Sequence, residues 1–209
     1  MRIGIFGGTF DPVHLGHLIV AEQCREQARL DQVLFVPAAR PPHKVEHHLT
    51  PFAQRVEMLA LACAGYPSLQ IEEMEKDRPG PSFTVETVEQ IHQRHPEAEL
   101  FLMLGADTLH DLPHWYEPAR IVRLARILVV PRSDWVMLSP EELRKSLRLP
   151  PDVPLQMQLI SVPAIGIASR DLRRRAAEGS SLRFLVPRAV EMFIQEKRLY
   201  QDKARGDSA

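Results

Sequence analysis

The chain has 209 residues, 44% of them hydrophobic, and its 26 Lys plus Arg against 27 Asp plus Glu give a formal net charge of -1. That balance leaves no global field to draw in nucleic acid or an anionic membrane surface, so any phosphate binding must come from a local cluster. Only Cys24 and Cys63 are present, too few for a disulfide framework, and no apolar run approaches the roughly 18 residues of a membrane span, which points to a reducing, cytoplasmic setting without signal peptide or anchor.

Residues 2–6 are apolar and rich in β-branched side chains and run straight into glycines. Residues 17–28 then place Leu18, Val20, Ala21 and Cys24 at helical spacing, which predicts strand, glycine-rich loop, helix. Further strands are expected at 32–36, 69–72, 99–104, 126–130 and 156–162, with helices near 51–64, 84–94, 116–124, 140–148, 170–178 and 187–197. The alternation predicts an α/β fold on a doubly wound, mostly parallel sheet, in which ligands bind beyond the carboxyl ends of the strands. The prolines fall in loops, notably Pro37, Pro41, Pro42, Pro79, Pro81, Pro150, Pro151 and Pro154, where a missing amide does no harm. One domain over residues 1–200 is expected, followed by a small polar tail, 201–209, expected to be disordered.

The densest signal is Gly7-Gly8-Thr9-Phe10-Asp11-Pro12-Val13-His14-Leu15-Gly16-His17, between the first strand and the first helix. Glycines let backbone approach a phosphate, and a helix start offers unpaired amides and the positive end of its dipole. If that helix begins near Pro12, His14 and His17 share one face and can both donate to a phosphate chain. In-line attack on the α-phosphorus of a nucleoside triphosphate needs such positioning and charge stabilisation more than a protein nucleophile. Two other readings of these residues stand beside it: a divalent metal held by His14, His17 and Asp11, and plain helix capping.

Gly8 to His17 resembles the signature of the nucleotidyltransferase superfamily that carries an HxGH motif. Ile167-Ala168-Ser169-Arg170-Asp171-Leu172-Arg173 is similar to the superfamily's Ile-Ser-Ser-Thr-x-Ile-Arg element, with Ala168 and Arg170 as departures. The resemblance implies that Ser169 caps the following helix and that its amides and Arg173 face the triphosphate; otherwise Arg170, Arg173, Arg174 and Arg175 form a solvated basic face.

Within the superfamily, four stretches look like nicotinate-mononucleotide adenylyltransferases. Residues 37–44 resemble that family's Pro-x-x-x-Pro-Pro-His-Lys segment and 82–87 its Ser-Tyr-Thr-x-Asp-Thr element, while 105–107 match its Gly-x-Asp and 112–116 the segment that carries a stacking tryptophan. The resemblance implies catalytic roles for His14, His17 and Arg173, and ATP binding by Gly7, Gly8, Thr9, Phe10, His14, His17, Gly105, Asp107, Ser169 and Arg173. It also implies mononucleotide binding by Lys44, Thr84, Trp115 and Tyr116.

On residue type alone, Trp115 reads equally as partial core, Thr84 as an N-cap and Lys44 as a solvated lysine. The implied reaction joins ATP and nicotinate mononucleotide to give nicotinate adenine dinucleotide and pyrophosphate, with Mg²⁺ entering on the ATP phosphates and no protein metal cage. Nicotinamide mononucleotide or phosphopantetheine as acceptor, and a nucleotide-sensing domain without turnover, are the rivals. No nucleic acid or membrane partner is expected, and a homo-oligomer is compatible with the composition.

Overall fold

The computed structural model describes residues 1–41, 49–132 and 135–201. Its centre is one parallel sheet of six strands in the order β3-β2-β1-β4-β5-β6. The strands are β1 (Arg2–Gly8), β2 (Gln32–Pro37), β3 (Leu69–Ile71), β4 (Glu99–Gly105), β5 (Ala125–Val130) and β6 (Met157–Leu159). The helices are α1 (Leu15–Gln27), α2 (Phe52–Cys63), α3 (Thr84–Arg94), α4 (Ala106–Asp111), α5 (Pro118–Leu124), α6 (Pro140–Ser146), α7 (Ser169–Ala177) and α8 (Arg188–Glu196), with a 3₁₀ turn at Leu112–His114.

Strand alternation sorts the apolar side chains onto two faces, and each face has its own helices. Val33, Phe35, Phe101, Met103 and Leu128 point to one side, where Ala21 and Cys24 of α1, Met58 and Leu59 of α2, Leu172 of α7 and Phe193 of α8 cover them. Leu34, Leu100, Leu102, Ile127 and Val129 point to the other, under Val88 and Ile91 of α3, Leu109 of α4, Ile121 of α5 and Leu143 of α6. The connections leave β1 and β4 in opposite directions, so the strand order reverses between these two neighbours. That opens a crevice at their carboxyl ends.

Three expectations shift. The first helix begins at Leu15, two residues before the periodicity suggested, because His14 rather than a Ser or Asp occupies the cap. After β4 comes an unexpected helix: Gly105-Ala106-Asp107 leads into α4, whose six residues bury only Ala106 and Leu109 and leave too few apolar positions for a period to register. The sixth strand covers only Met157–Leu159 of the expected 156–162, since it lies at the sheet edge with Gln158 and Leu159 exposed and little apolar burial to extend it. The tail after residue 201 lies outside the described residues.

Candidate active site

The loop that leaves β1 is packed tightly from beneath. Phe10, Asp11 and Val13 are buried, and Phe10 takes a left-handed conformation (φ 48) that turns its ring into the core against Phe6 and Phe35. Any contact of Phe10 with ATP is therefore through its backbone. A Cβ added to Gly7 would meet nothing within 4 Å, so that backbone stands clear of packing.

His14 is the N-cap of α1 and His17 its third helical residue, and their rings stack with centroids 3.7 Å apart. The His14 amide donates to Nδ1 of His17 at 3.2 Å, which leaves the proton of a neutral His17 on Nε2. The pairing thus follows from cap geometry rather than from a helix begun at Pro12. His14 is buried against Gly16, where a Cβ would come within 3.0 Å of the imidazole and 3.1 Å of Ile165, so only glycine lets the ring lie there. Burial, and then the charge of Arg132, lower the His14 pKa to about 4, so the ring is neutral at pH 7 with one N–H to donate. Its buried Nδ1 has no hydrogen-bond partner among the described residues.

Asp107, in the first turn of α4, brings Oδ1 within 3.3 Å of Arg132 Nε, just past the end of β5. That oxygen is buried and accepts no hydrogen bond among the described residues, which suits it to take a ligand hydroxyl. A Cβ on Gly105 would stand 2.4 Å from it. Because Arg132 also acts on His14, the ends of β1, β4 and β5 form one electrostatic neighbourhood.

From the other side, α7 locks onto the loop. Ser169 Oγ donates to the Pro12 carbonyl at 2.9 Å and Arg173 Nη1 to the Asp11 carbonyl at 2.7 Å. Ser169 is therefore not the cap of α7: Ala168 holds that position, and the serine hydroxyl is spent on the loop. Arg174 pairs with Asp171, and Arg175 donates to the Ser181 carbonyl away from the loop. The basic face thus divides, and only Arg173 among these arginines is bonded to the loop.

The third element is looser. Thr84 is the first residue of α3, the cap being Phe83, whose ring lies 4.8 Å from that of the exposed Tyr116. Trp115 is half-buried against the second core. Ser82 and Arg40 exchange two 3.0 Å bonds that join the α3 start to the loop after β2. Lys44, expected further along that loop, lies outside the described residues.

A model of the cytidylyltransferase-like family matches residues 5–175. A protein of Thermomicrobium roseum named "probable nicotinate-nucleotide adenylyltransferase" is 44% identical over 96% of this chain and 92% of its own. A Thermus thermophilus protein of the same name is also 44% identical, over 96% of this chain and all of its own. The chain belongs to the nicotinate-nucleotide adenylyltransferase family. The fold agrees: the Plasmodium falciparum nicotinic acid mononucleotide adenylyltransferase complexed with NaAD aligns with a TM-score of 0.77 at 18% identity, covering 95% of this chain and 97% of that one.

Against this family membership, three residues stand out that the motifs did not announce. Arg55 is 1% exposed and donates to the carbonyls of Thr9 (2.7 Å), Ala38 (2.9 Å) and Thr50 (2.9 Å), fastening the loop after β1 to the loop after β2. Its signal was present, since Arg55 heads the buried stripe Met58, Leu59, Ala62, Cys63 at helical spacing. Arg132 follows β5 at the same sheet edge as the glycine loop, a position the doubly wound order marks. Tyr200, whose hydroxyl donates to Asp11, carried no sequence signal.

The metal reading of His14, His17 and Asp11 loses its third ligand. The Asp11 carboxylate is engaged by the Thr50 amide and the Tyr200 hydroxyl, and no three His, Cys, Asp or Glu side chains gather among the described residues.

Proposed function

We propose that this chain transfers the adenylyl group of ATP to nicotinate mononucleotide through the crevice between β1 and β4, with His14, His17 and Arg173 as the groups that stabilise the transferring phosphate. A phosphate oxygen of the mononucleotide attacks the α-phosphorus in line, the bond from that phosphorus to the bridging oxygen breaks, and pyrophosphate leaves with nicotinate adenine dinucleotide remaining. The observation that carries this reading is the stacked His14–His17 pair at the start of α1, beside the point where the strand order reverses. There a Nε2–H of His17, the neutral His14 ring and the helix amides can meet charge that grows in the transition state.

Gly7, Gly8 and Thr9 provide close backbone approach to the triphosphate, and Gly105 and Asp107 take the nucleotide sugar. Ser169 acts by holding the Pro12 carbonyl, while Arg173 holds the loop through Nη1 and offers its remaining N–H groups to the phosphates. Trp115 and Tyr116 supply the aromatic surface for the pyridine ring, the first turn of α3 at Thr84 receives its carboxylate, and Lys44 takes a phosphate. Mg²⁺ would enter with ATP and would offset the negative charge of its phosphates. The same proposal treats residues 1–200 as one catalytic domain working in the cytoplasm, where the buried thiols Cys24 and Cys63 stay reduced.

The deciding experiment is pyrophosphate release from MgATP with nicotinate mononucleotide, nicotinamide mononucleotide and phosphopantetheine offered in turn. Turnover fastest with nicotinate mononucleotide is expected. Equal turnover with its carboxamide would discard the substrate and keep the chemistry, and no release with any acceptor would discard both.

A further inference from the structure

Asp11 lies in the middle of the phosphate loop, yet its side chain is fully buried and both oxygens are occupied inside the protein. Oδ1 accepts from the Tyr200 hydroxyl at 2.6 Å and Oδ2 from the Thr50 amide at 3.2 Å. Tyr200 is 189 positions away in sequence, just past the end of α8. To get there the chain turns through left-handed conformations at Arg198 (φ 49) and Tyr200 (φ 64), a region that disfavours residues with side chains unless the surroundings over-determine it.

Here packing of the half-buried ring against the first core and the bond to Asp11 do so. Desolvation, and then the neighbouring Asp11 charge, push the phenol's pKa far up, so its hydroxyl remains a donor throughout the working range. The helix that delivers Tyr200 packs on α2, and α2 delivers Arg55 to the same loop. Two side chains, the buried Arg55 and the half-buried Tyr200, therefore hold the loop from one scaffold, one through the Thr9 carbonyl and one through the Asp11 carboxylate.

We infer that Tyr200 is a positioning residue: its hydroxyl, through the Asp11 carboxylate, ties the end of the chain to the phosphate loop and holds the backbone from which His14 and His17 present their rings. Its kinetic consequence rests on the adenylyl-transfer reading above; its effect on the loop does not. The competing role is charge compensation, in which Tyr200 only satisfies a buried carboxylate and its link to the loop's geometry is incidental.

The test compares full-length Tyr200→Phe, Asp11→Asn, the double variant and a Lys197→Ala control in the same segment. Amide hydrogen exchange is read over residues 8–17 and over α3, alongside steady-state pyrophosphate release. Tyr200→Phe is expected to speed exchange in 8–17 by about tenfold with α3 unchanged, and Lys197→Ala to leave both at wild-type rates. It is also expected to lower kcat about tenfold or more with each KM within about threefold, because misplaced transition-state donors cost rate more than binding. The double variant stays slow and fast-exchanging if the tie matters.

Recovery of wild-type kcat and exchange in the double variant would establish charge compensation and overturn the proposal. Wild-type exchange over 8–17 in Tyr200→Phe would overturn it whatever the activity. If the wild type releases no pyrophosphate, the functional reading falls while the exchange data still decide the tie. Should Tyr200→Phe not fold, Asp11→Ala decides: it removes both acceptor oxygens and with them the tie, so faster exchange over 8–17 supports the proposal and unchanged exchange refutes it.

Discussion

The two halves of the crevice are built differently. On the side proposed for the phosphates, the loop between β1 and α1 is held by Arg55, Thr50, Tyr200, Ser169 and Arg173, and the groups of that loop they grip (the Thr9, Asp11 and Pro12 carbonyls and the Asp11 carboxylate) are fixed from within. On the side proposed for the pyridine ring, the start of α3, Trp115 and Tyr116 are half-buried or exposed, and the bracing lies behind them: the Ser82–Arg40 exchange, the buried Glu75 accepting from Thr87 Oγ1 and the Ala39 amide, and Arg78 donating to Thr87 and Gln90. The contrast teaches how the work is divided. Stabilising a charge that exists only in the transition state demands donors fixed beforehand, whereas choosing a flat heterocycle needs a surface and one polar contact, which a less rigid region supplies.

The largest effect that would sharpen this contrast is on chemistry. His17→Ala, and to a similar degree His14→Ala, should lower kcat by about two to four orders of magnitude with the fold retained, as read by pyrophosphate release and circular dichroism. Loss of a stoichiometric bound zinc together with unfolding would reinstate the metal reading.

Next come stability and its pH dependence. Arg55→Met leaves the buried Thr50 carbonyl and the half-buried Thr9 and Ala38 carbonyls without their donor and should cost about 3 kcal/mol in urea unfolding, whereas Arg78→Met beside α3 should cost about 1 kcal/mol. Equal costs would erase the distinction between a braced and a loose half. For His14 the folded pKa of about 4 lies below its ordinary 6.5, so the folded state binds fewer protons between those values. The stability this supplies is present above pH 6.5 and is lost as pH falls toward 4. Between pH 7 and pH 5 the loss should be about 2 kcal/mol, and His14→Gln should flatten that slope in urea midpoints.

A smaller effect separates neighbouring arginines. Arg173→Ala should reduce kcat/KM for ATP at least about tenfold and Arg175→Ala by less than about twofold, because only Arg173 is bonded to the loop. Comparable kinetics would return both residues to a solvated face.

The smallest effect is on choice of acceptor. A carboxamide brings an NH₂ to donors that want an acceptor, a mismatch of about 1 to 3 kcal/mol, so nicotinate mononucleotide should be preferred at least about tenfold. Thr84→Ala should erode that preference, while Trp115→Ala should damage both pyridine substrates; competition kinetics with the two mononucleotides on each variant would read it. A preference untouched by Thr84→Ala would move the carboxylate site elsewhere.

What the sequence by itself determined is what short-range pattern encodes. Short apolar runs between turn signals located all six strands, helical spacing located α1 to α3 and α5 to α8 within a residue or two, and the glycine-histidine stretch marked the crevice because its neighbours in sequence are its neighbours in space. Arg55 went unread, although it opens an apolar stripe at helical spacing that could have flagged it. Tertiary structure alone decided the rest. Ser169 reads as a cap until the Pro12 carbonyl, 157 positions away, takes its hydroxyl. Asp11 reads as a metal ligand until Thr50 and Tyr200 claim its oxygens, and the low basicity of His14 depends on burial and on Arg132 across the sheet edge. The Ser169 and Asp11 outcomes depend on which distant hydrogen-bond partner arrives within 3.2 Å, and that is fixed by how helices pack on the sheet, which local spacing does not encode.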